Sequence, residues 1–176
     1  KQLANRLIEP FCWQTVIVTA TEWDNFYALR CNPAAQPEIR KVAEMMRAVH
    51  EASSPKLLKE DEWHLPLLQS DEFVLPDDSE EWDEAVGFTC YKLRVEDAKK
   101  VCVGRCARVS YLTHDGKRDI KSDIDLCTRL LNEGHMSPFE HVARPKTDDE
   151  IWNREHVSNF NGWVQYRKLL PNEANF

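Results

Sequence analysis

No stretch of this chain is apolar for long enough to span a bilayer as a helix, and no secretory signal is evident at its start. Those two absences argue against a helical membrane protein and an exported one. A basic excess is also lacking. With 23 Lys and Arg against 30 Asp and Glu, the formal net charge is −7, so no general nucleic-acid surface is expected, because binding a phosphate backbone needs clustered cations. A mononucleotide stays possible, since it needs only a few arginines in one pocket. Cysteine pairing motifs are missing as well. Cys12, Cys31, Cys90, Cys102, Cys106 and Cys127 contain no Cys-x-x-Cys and no regular spacing, so they read as reduced thiols of an intracellular protein. They lack zinc-ligand spacing, as do His135 and His141, six residues apart. No metal site is expected. There is no internal repeat and no low-complexity segment.

What is present suits a soluble globular protein: 176 residues, 42% hydrophobic and 30% charged, enough for one domain with a real core. The chain opens at Lys1 without a Met and inside a helical pattern, so a fragment or processed product is expected, incomplete at its N-terminus. Three parts follow in order: residues 1–51, a connection over 52–85, and residues 86–176.

Leu3, Leu7 and Ile8 read as the end of a helix that Pro10 stops, with Arg6 on its last turns. Thr15-Val16-Ile17-Val18-Thr19 is a β-branched run expected to be a buried strand. Thr21-x-x-Asp24 reads as the cap of a helix with Trp23, Phe26 and Tyr27 at helical spacing. Arg30 lies seven residues after Trp23 and shares that aromatic face; it either finds a partner there or snorkels with its stem over the rings. Pro37 opens a longer amphipathic helix, whose stripe of Ile39, Val42, Met46 and Val49 is expected to be ordinary core packing. The connection carries Pro55, Pro66, Pro76 and the acidic run 77–81, a solvated face or linker, with one docked piece from Trp63 to Leu68. Val95 to Arg108 returns to helix through Ala98, Val101, Cys102 and Cys106. Residues 113–117 read as a turn, and Thr147-x-x-Glu150 as another capping box.

The chemistry concentrates in Gly134-His135-Met136-Ser137-Pro138-Phe139-Glu140-His141. Ile120, Ile124, Cys127 and Leu131 mark a helix before it, and Gly134 supplies the left-handed residue that closes that helix. Ser137-Pro138-x-Glu140 reads as a new helix start, with Ser at the N-cap and Glu three residues on. Such a start offers free N–H groups to a phosphate or an electron-rich ring oxygen, and the two histidines add proton-transfer capacity. The plain alternative is a capped helix with incidental histidines.

Cys106-Ala107-Arg108-Val109-Ser110-Tyr111, a helix, and then Gly134-His135-x-Ser137-Pro138-Phe139-Glu140-His141 resembles the flavin-dependent thymidylate synthases. The early chain resembles the same family through Arg6, Pro10, residues 15–19, Asn25-Phe26-Tyr27-Ala28-Leu29-Arg30 and Ala35-Gln36-Pro37-Glu38-Ile39. The resemblance implies an α+β fold of helices with antiparallel sheet. It further implies reductive methylation of dUMP to dTMP with FAD, NADPH and methylenetetrahydrofolate, in a cytoplasmic homotetramer with sites shared between subunits. Carried over, Arg6, Arg30 and Arg167 would bind dUMP, and Arg30 would activate its base. His135, Ser137, Glu140, Asn25, Ser110 and a threonine at the strand end (Thr19 or Thr21) would face the flavin. That family uses no covalent protein nucleophile, so the lack of an evident catalytic cysteine is no objection.

Two features depart from the family pattern. The segment order is swapped, with the nucleotide arginines ahead of the Ala-Arg-Val-Ser and Gly-His-x-Ser-Pro-Phe-Glu-His pieces, as in the circularly permuted, phage-type arrangement. The Arg-His-Arg-x-x-Ser-x-Asn-Glu signature is matched by Gln165 to Glu173 only at Arg167, Asn172 and Glu173, so the full signature is expected upstream of Lys1. A smaller change is Ala34, where many relatives carry His. The other readings are a non-catalytic assembly module that needs a partner segment, and an unrelated acidic interaction domain whose motif matches are accidental.

Overall fold

A computed structural model describes residues 7, 11–13, 15–75, 91–109, 119–152, 160–171 and 173. Arg6, Ser110, Cys90, the acidic run and the turn at 113–117 lie outside these residues, as does most of the opening helix. The architecture is α+β. In chain order come α1 (Asp24–Arg30), α2 (Pro37–Ala52), β1 (Glu72–Leu75), β2 (Tyr91–Arg94), α3 (Val95–Val109) and α4 (Ile120–Asn132). A single 3-10 turn (Ser137–Glu140), β3 (Ala143–Pro145), β4 (Trp163–Gln165) and a second 3-10 turn (Tyr166–Leu169) complete it. β3 and β4 pair antiparallel, with Arg144 opposite Val164. β1 and β2 pair in parallel, with Val74 opposite Leu93, an element absent from the sequence reading.

α3 is the axis of the core. Ala98, Val101, Cys102, Val103, Cys106, Ala107 and Val109 are all buried, so the helix is covered on every side. On one flank Cys102 and Val103 join Cys127, Met136, Phe139 and Val142, with Trp63, Leu65, Leu68 and Tyr166 packed against them. On the other, Val101 and Ala98 meet Leu93, Val74, Ile120 and Ile124. The piece Trp63 to Leu68 is therefore docked, as expected, and His64 exchanges backbone hydrogen bonds with Ala143 at 2.7 and 3.4 Å. Even a lysine is held inside: the Lys99 ammonium sits 4.3 Å from the Trp63 ring centre and 5.0 Å from that of Tyr166.

α4 begins where Asp119 accepts the Ser122 N–H at 3.0 Å. It ends on Gly134 at φ 72°, with His135 N–H donating to the Leu130 carbonyl at 2.9 Å, as the Gly134 reading required. Pro37 opens α2, also as expected.

Four local expectations fail. Residues 15–20 form no strand, and Val16 and Val18 are exposed; β-branched residues favour a strand only beside an edge to pair with, and among the described residues none is offered. Trp23 caps α1 with no side-chain bond, while Thr21 instead accepts the Asn161 N–H at 2.8 Å. The stripe on α2 is not core: Ile39, Val42 and Val49 are 46%, 58% and 72% exposed. The seven-residue α1 covers only one flank of this sixteen-residue helix, through Ala43 and the Trp23–Tyr27–His50 ring contacts. The Ser137 capping box is absent: Met136 holds the cap position without a side-chain bond, and the turn lasts four residues. Thr147 and Glu150 come closer to their expected box. The Glu150 carboxylate accepts the Thr147 N–H at 3.1 Å and grips Arg144 at 2.6 and 2.7 Å, which holds its pKa down at about 2.

Candidate functional site

The segment after Gly134 is shaped by its apolar residues. Met136, Phe139 and Val142 are buried, with Phe139 against Tyr166 at a ring separation of 5.9 Å. Burying every third residue leaves Glu140 and His141 half-buried at one mouth, where β4 and the following turn deliver Gln165, Arg167 and Lys168. Gln165 donates its side-chain N–H to the Glu140 carbonyl at 3.1 Å, and Tyr166 N–H donates to the Val142 carbonyl at 2.8 Å. Thr19, Glu140, His141, Phe160, Gln165, Arg167 and Lys168 line a cleft of about 270 Å³.

The polar groups of this cleft are already engaged. Thr19 Oγ1 lies 3.0 Å from His141 Nδ1. Arg167 Nη1 donates to Glu140, and its Nε donates to Glu173 Oε2 at 3.2 Å. Lys168 Nζ donates to the two Glu173 oxygens at 2.9 and 3.3 Å. The Glu140 carboxylate, expected to close a helix cap, serves Arg167 instead. Because the Ser137–Glu140 turn is a single turn, it supplies no helix dipole for an anion.

Burial holds His141 below its ordinary value of 6.5, and does the same to His64, helped by the neighbouring His141. Both are neutral near pH 7. A histidine depressed in the folded state binds fewer protons than its unfolded counterpart, so its contribution is complete above about pH 6.5 and is lost as pH falls below that. The urea midpoint should therefore drop between about pH 7.5 and about pH 5.5, a range above most carboxylate titrations. The double variant His64→Gln/His141→Gln should flatten that dependence, and an unchanged slope would exclude these two groups.

Three of the sequence-derived residues, Thr19, Glu140 and Arg167, thus come together. Thr21 holds Asn161, next to Phe160 of the same cleft. His135 goes elsewhere: it is exposed, 3.8 Å from Glu133, and lines a wider groove of about 990 Å³ between α3 and α4 with Arg108, Arg129, Leu126 and Leu130. Ser137 is exposed, as are Asn25 and Arg30 on α1. Among the described residues Arg30 has no side-chain hydrogen-bond or ion-pair partner, so the aromatic face does not hold its guanidinium. Arg6 and Ser110 fall outside the described residues.

Sequence reasoning missed the role of His141, Gln165 and Lys168, and it missed Arg105. Arg105 is buried and bonded to Glu72 at 2.6 Å through both terminal nitrogens, and to Asp123 at 3.1 Å. Its only sequence signal was a cation inside the apolar run of α3. The buried thiols carry no chemistry: burial pushes Cys106 up to about 12 and Cys127 up to about 11, far from a reactive thiolate. Among the described residues no cluster of three His, Cys, Asp or Glu could hold a metal, and no helix is long and apolar enough to cross a membrane.

Compared with known proteins, residues 6–56 match the model of the thymidylate synthase complementing protein family, the flavin-dependent thymidylate synthases. The matched span takes in Arg6, Thr19, Thr21, Asn25 and Arg30 and stops before α3. No curated protein and no solved structure matches the chain.

Proposed function

We propose that this chain, whose residues 6–56 match the flavin-dependent thymidylate synthase family model, serves the reductive methylation of dUMP to dTMP. The observation that carries this reading is the stitching of the matched segment to the Gly134–His141 segment. Thr19 reaches His141, and Thr21 and Glu22 hold Asn161, so residues far apart in sequence share one surface. The order of these two segments supports a circularly permuted arrangement.

FAD fits the donor set. The wide groove offers an apolar floor of Ala107, Leu126 and Leu130, with Arg129 and His135 at its rim, and its volume is in the range of cofactor sites. When bound, the flavin supplies the hydride, which NADPH renews, and methylenetetrahydrofolate supplies the carbon. The protein's own part is to bind and to polarise. The smaller cleft, where Thr19 and Glu140 adjoin Arg167, is the place where flavin-facing and nucleotide-facing side chains meet. At about 270 Å³ it takes one end of a ligand rather than a whole dinucleotide. Asn25 and Arg30 face outward, which suits a site completed across copies, as a cytoplasmic homotetramer would provide. Arg6 joins the dUMP contacts, and Ser137 and Ser110 the flavin contacts, in this reading.

Arg30 has the decisive chemical role. C5 of uracil becomes nucleophilic only as negative charge builds on the ring, and a guanidinium fixed near N3 and O4 stabilises that charge. In the complete enzyme Arg30→Lys should cut tritium release from C5-labelled dUMP by roughly a hundredfold, with little change in melting temperature, since the exposed side chain holds no described partner. Parent-like turnover in a folded Arg30→Lys protein would remove that role. A complete enzyme that binds no flavin and releases no tritium would leave the assembly-module reading.

A further inference from the structure

α2 carries Ile39, Val42, Met46 and Val49 at spacings of three, four and three residues, the seam of a helix that packs on another helix. The structure covers one flank of that seam and leaves the rest open. On the covered flank Ala43 is fully buried, and seven residues on, His50 sets its ring 6.2 Å from Trp23 and 5.7 Å from Tyr27 of α1. The seam itself stays outside: Ile39, Val42 and Val49 are exposed, as is Met45 beside them. Val42, Met45 and Val49 join the Trp23 and Tyr27 rings around an apolar groove of about 540 Å³. The helix keeps its ion pairs on the far side, Arg40 with Glu44 at 3.6 Å and Arg47 with Glu51 at 2.7 Å. Of its charges only Glu38 flanks the seam.

We propose that α2 is the surface through which this chain associates with itself, the groove being filled by α2 of a second copy. The two helices run antiparallel about a two-fold axis beside Met45 and Met46. Periodicity marks the face, and its symmetry chooses the occupant. A strip spaced three, four, three reads the same from either end, so a two-fold axis sets Ile39 of one copy against Val49 of the other and Val42 against Met46. The antiparallel arrangement opposes the two helix dipoles. It brings Glu38 to the uncharged Ala52 end of the other helix rather than beside a second Glu38. α1 from each copy falls on the same side of the contact, leaving the two Met45 side chains to meet on the other. Because the ion pairs lie away from the seam, closing it takes almost no charge out of water. The face amounts to a few hundred Å² per copy, under the ~800 Å² per partner of a stable interface, so the pairing is reversible and depends on concentration. The charge of −7 on each copy opposes it at long range, so added salt strengthens the pairing. The inference stands on this exposed face alone and holds whether or not the chain serves dUMP methylation.

The test is sedimentation equilibrium of the full 176-residue chain from about 1 to about 300 µM, a span that brackets a weak interface. The average mass should climb from monomer toward dimer, and should climb further in about 0.5 M NaCl. Ile39→Glu and Val49→Lys each put a charge on the seam, at exposed positions whose helix ends suit that charge. Each variant alone should keep the parent's circular dichroism and melting temperature in dilute solution, and should lose at least about tenfold in association. Mixed in equal amounts, the variants set the introduced carboxylate of one against the introduced ammonium of the other, and the dimer should return. A parent that stays monomeric throughout overturns the proposal. So does a parent dimer that neither variant weakens, since its contact would lie on another surface, and so does one that salt dissolves. Loss in both variants without recovery on mixing overturns the antiparallel two-fold pairing.

Discussion

Arg105→Met should cost about 3–5 kcal/mol of folding stability, the loss typical of removing one partner from a buried ion pair. The guanidinium lies among side chains that water scarcely reaches: Arg105 is 7% exposed, Glu72 0% and Asp123 2%. It donates to both Glu72 oxygens and to Asp123, and its Nη1 donates to the Leu67 carbonyl at 2.9 Å. Leu67 sits at φ 66°, a conformation that costs a branched side chain energy unless the surroundings impose it. One cation therefore joins α3 to α4, to the start of β1 and to the docked piece that carries His64. Without it, Asp123 keeps the Arg108 guanidinium 3.2 Å away, and Glu72 keeps the Gln69 N–H at 2.8 Å, but their buried charge is no longer balanced. Burial already pushes the Asp123 carboxyl upward against the pull of both arginines, so this penalty is present in the parent and is restrained by Arg105. A urea titration that finds less than about 1 kcal/mol of loss would show that water enters the site. The companion variant Arg105→Met/Glu72→Leu removes charge from both sides of the pair and should regain much of the loss.

Helix boundaries were legible where one local rule decided them. Gly134 ended α4 because the left-handed residue of a C-terminal cap is set by its own φ, whatever the rest of the fold does. Pro37 opened α2 for a similarly local reason. The expected strand at 15–19 and the expected boxes at Thr21 and Ser137 needed partners whose position depends on the whole chain. Thr21 and Glu140 found long-range partners, Asn161 and Arg167, in place of the neighbouring N–H groups. The stripe on α2 shows the limit of periodicity: it identifies an apolar face and says nothing of what lies across from it. In the candidate site, spacing drew attention to 134–141, yet the turn's buried residues sort His135 and His141 into different depressions. Only the packing of Met136, Phe139 and Val142 could separate the two histidines, and that packing depends on Tyr166 and Trp63 arriving from elsewhere.

Gly104→Ala should destabilise the fold by about 3 kcal/mol, although alanine is the better helix former by up to about 1 kcal/mol. The two effects oppose each other, and the neighbouring atoms decide between them. A Cβ on Gly104 would stand 2.4 Å from the Asp123 carbonyl oxygen and 2.9 Å from its carbonyl carbon and Cα. These are backbone atoms of α4, so no side chain can rotate away and the helix itself has to retreat from α3. That retreat would strain the Arg105 and Arg108 contacts to Asp123 and open the packing of Cys127 against Cys102 and Val103. It would also carry along the far end of α4, where Gly134 sets the direction of the chain into His135 and the Glu140–His141 mouth. The variant should therefore show two losses together: a lower urea midpoint, and, in the complete enzyme, a lower flavin content after purification. A stable Gly104→Ala protein would mean that α3 and α4 separate at no cost. A destabilised one with parent-like flavin content would mean that the groove between them is not where the cofactor lies.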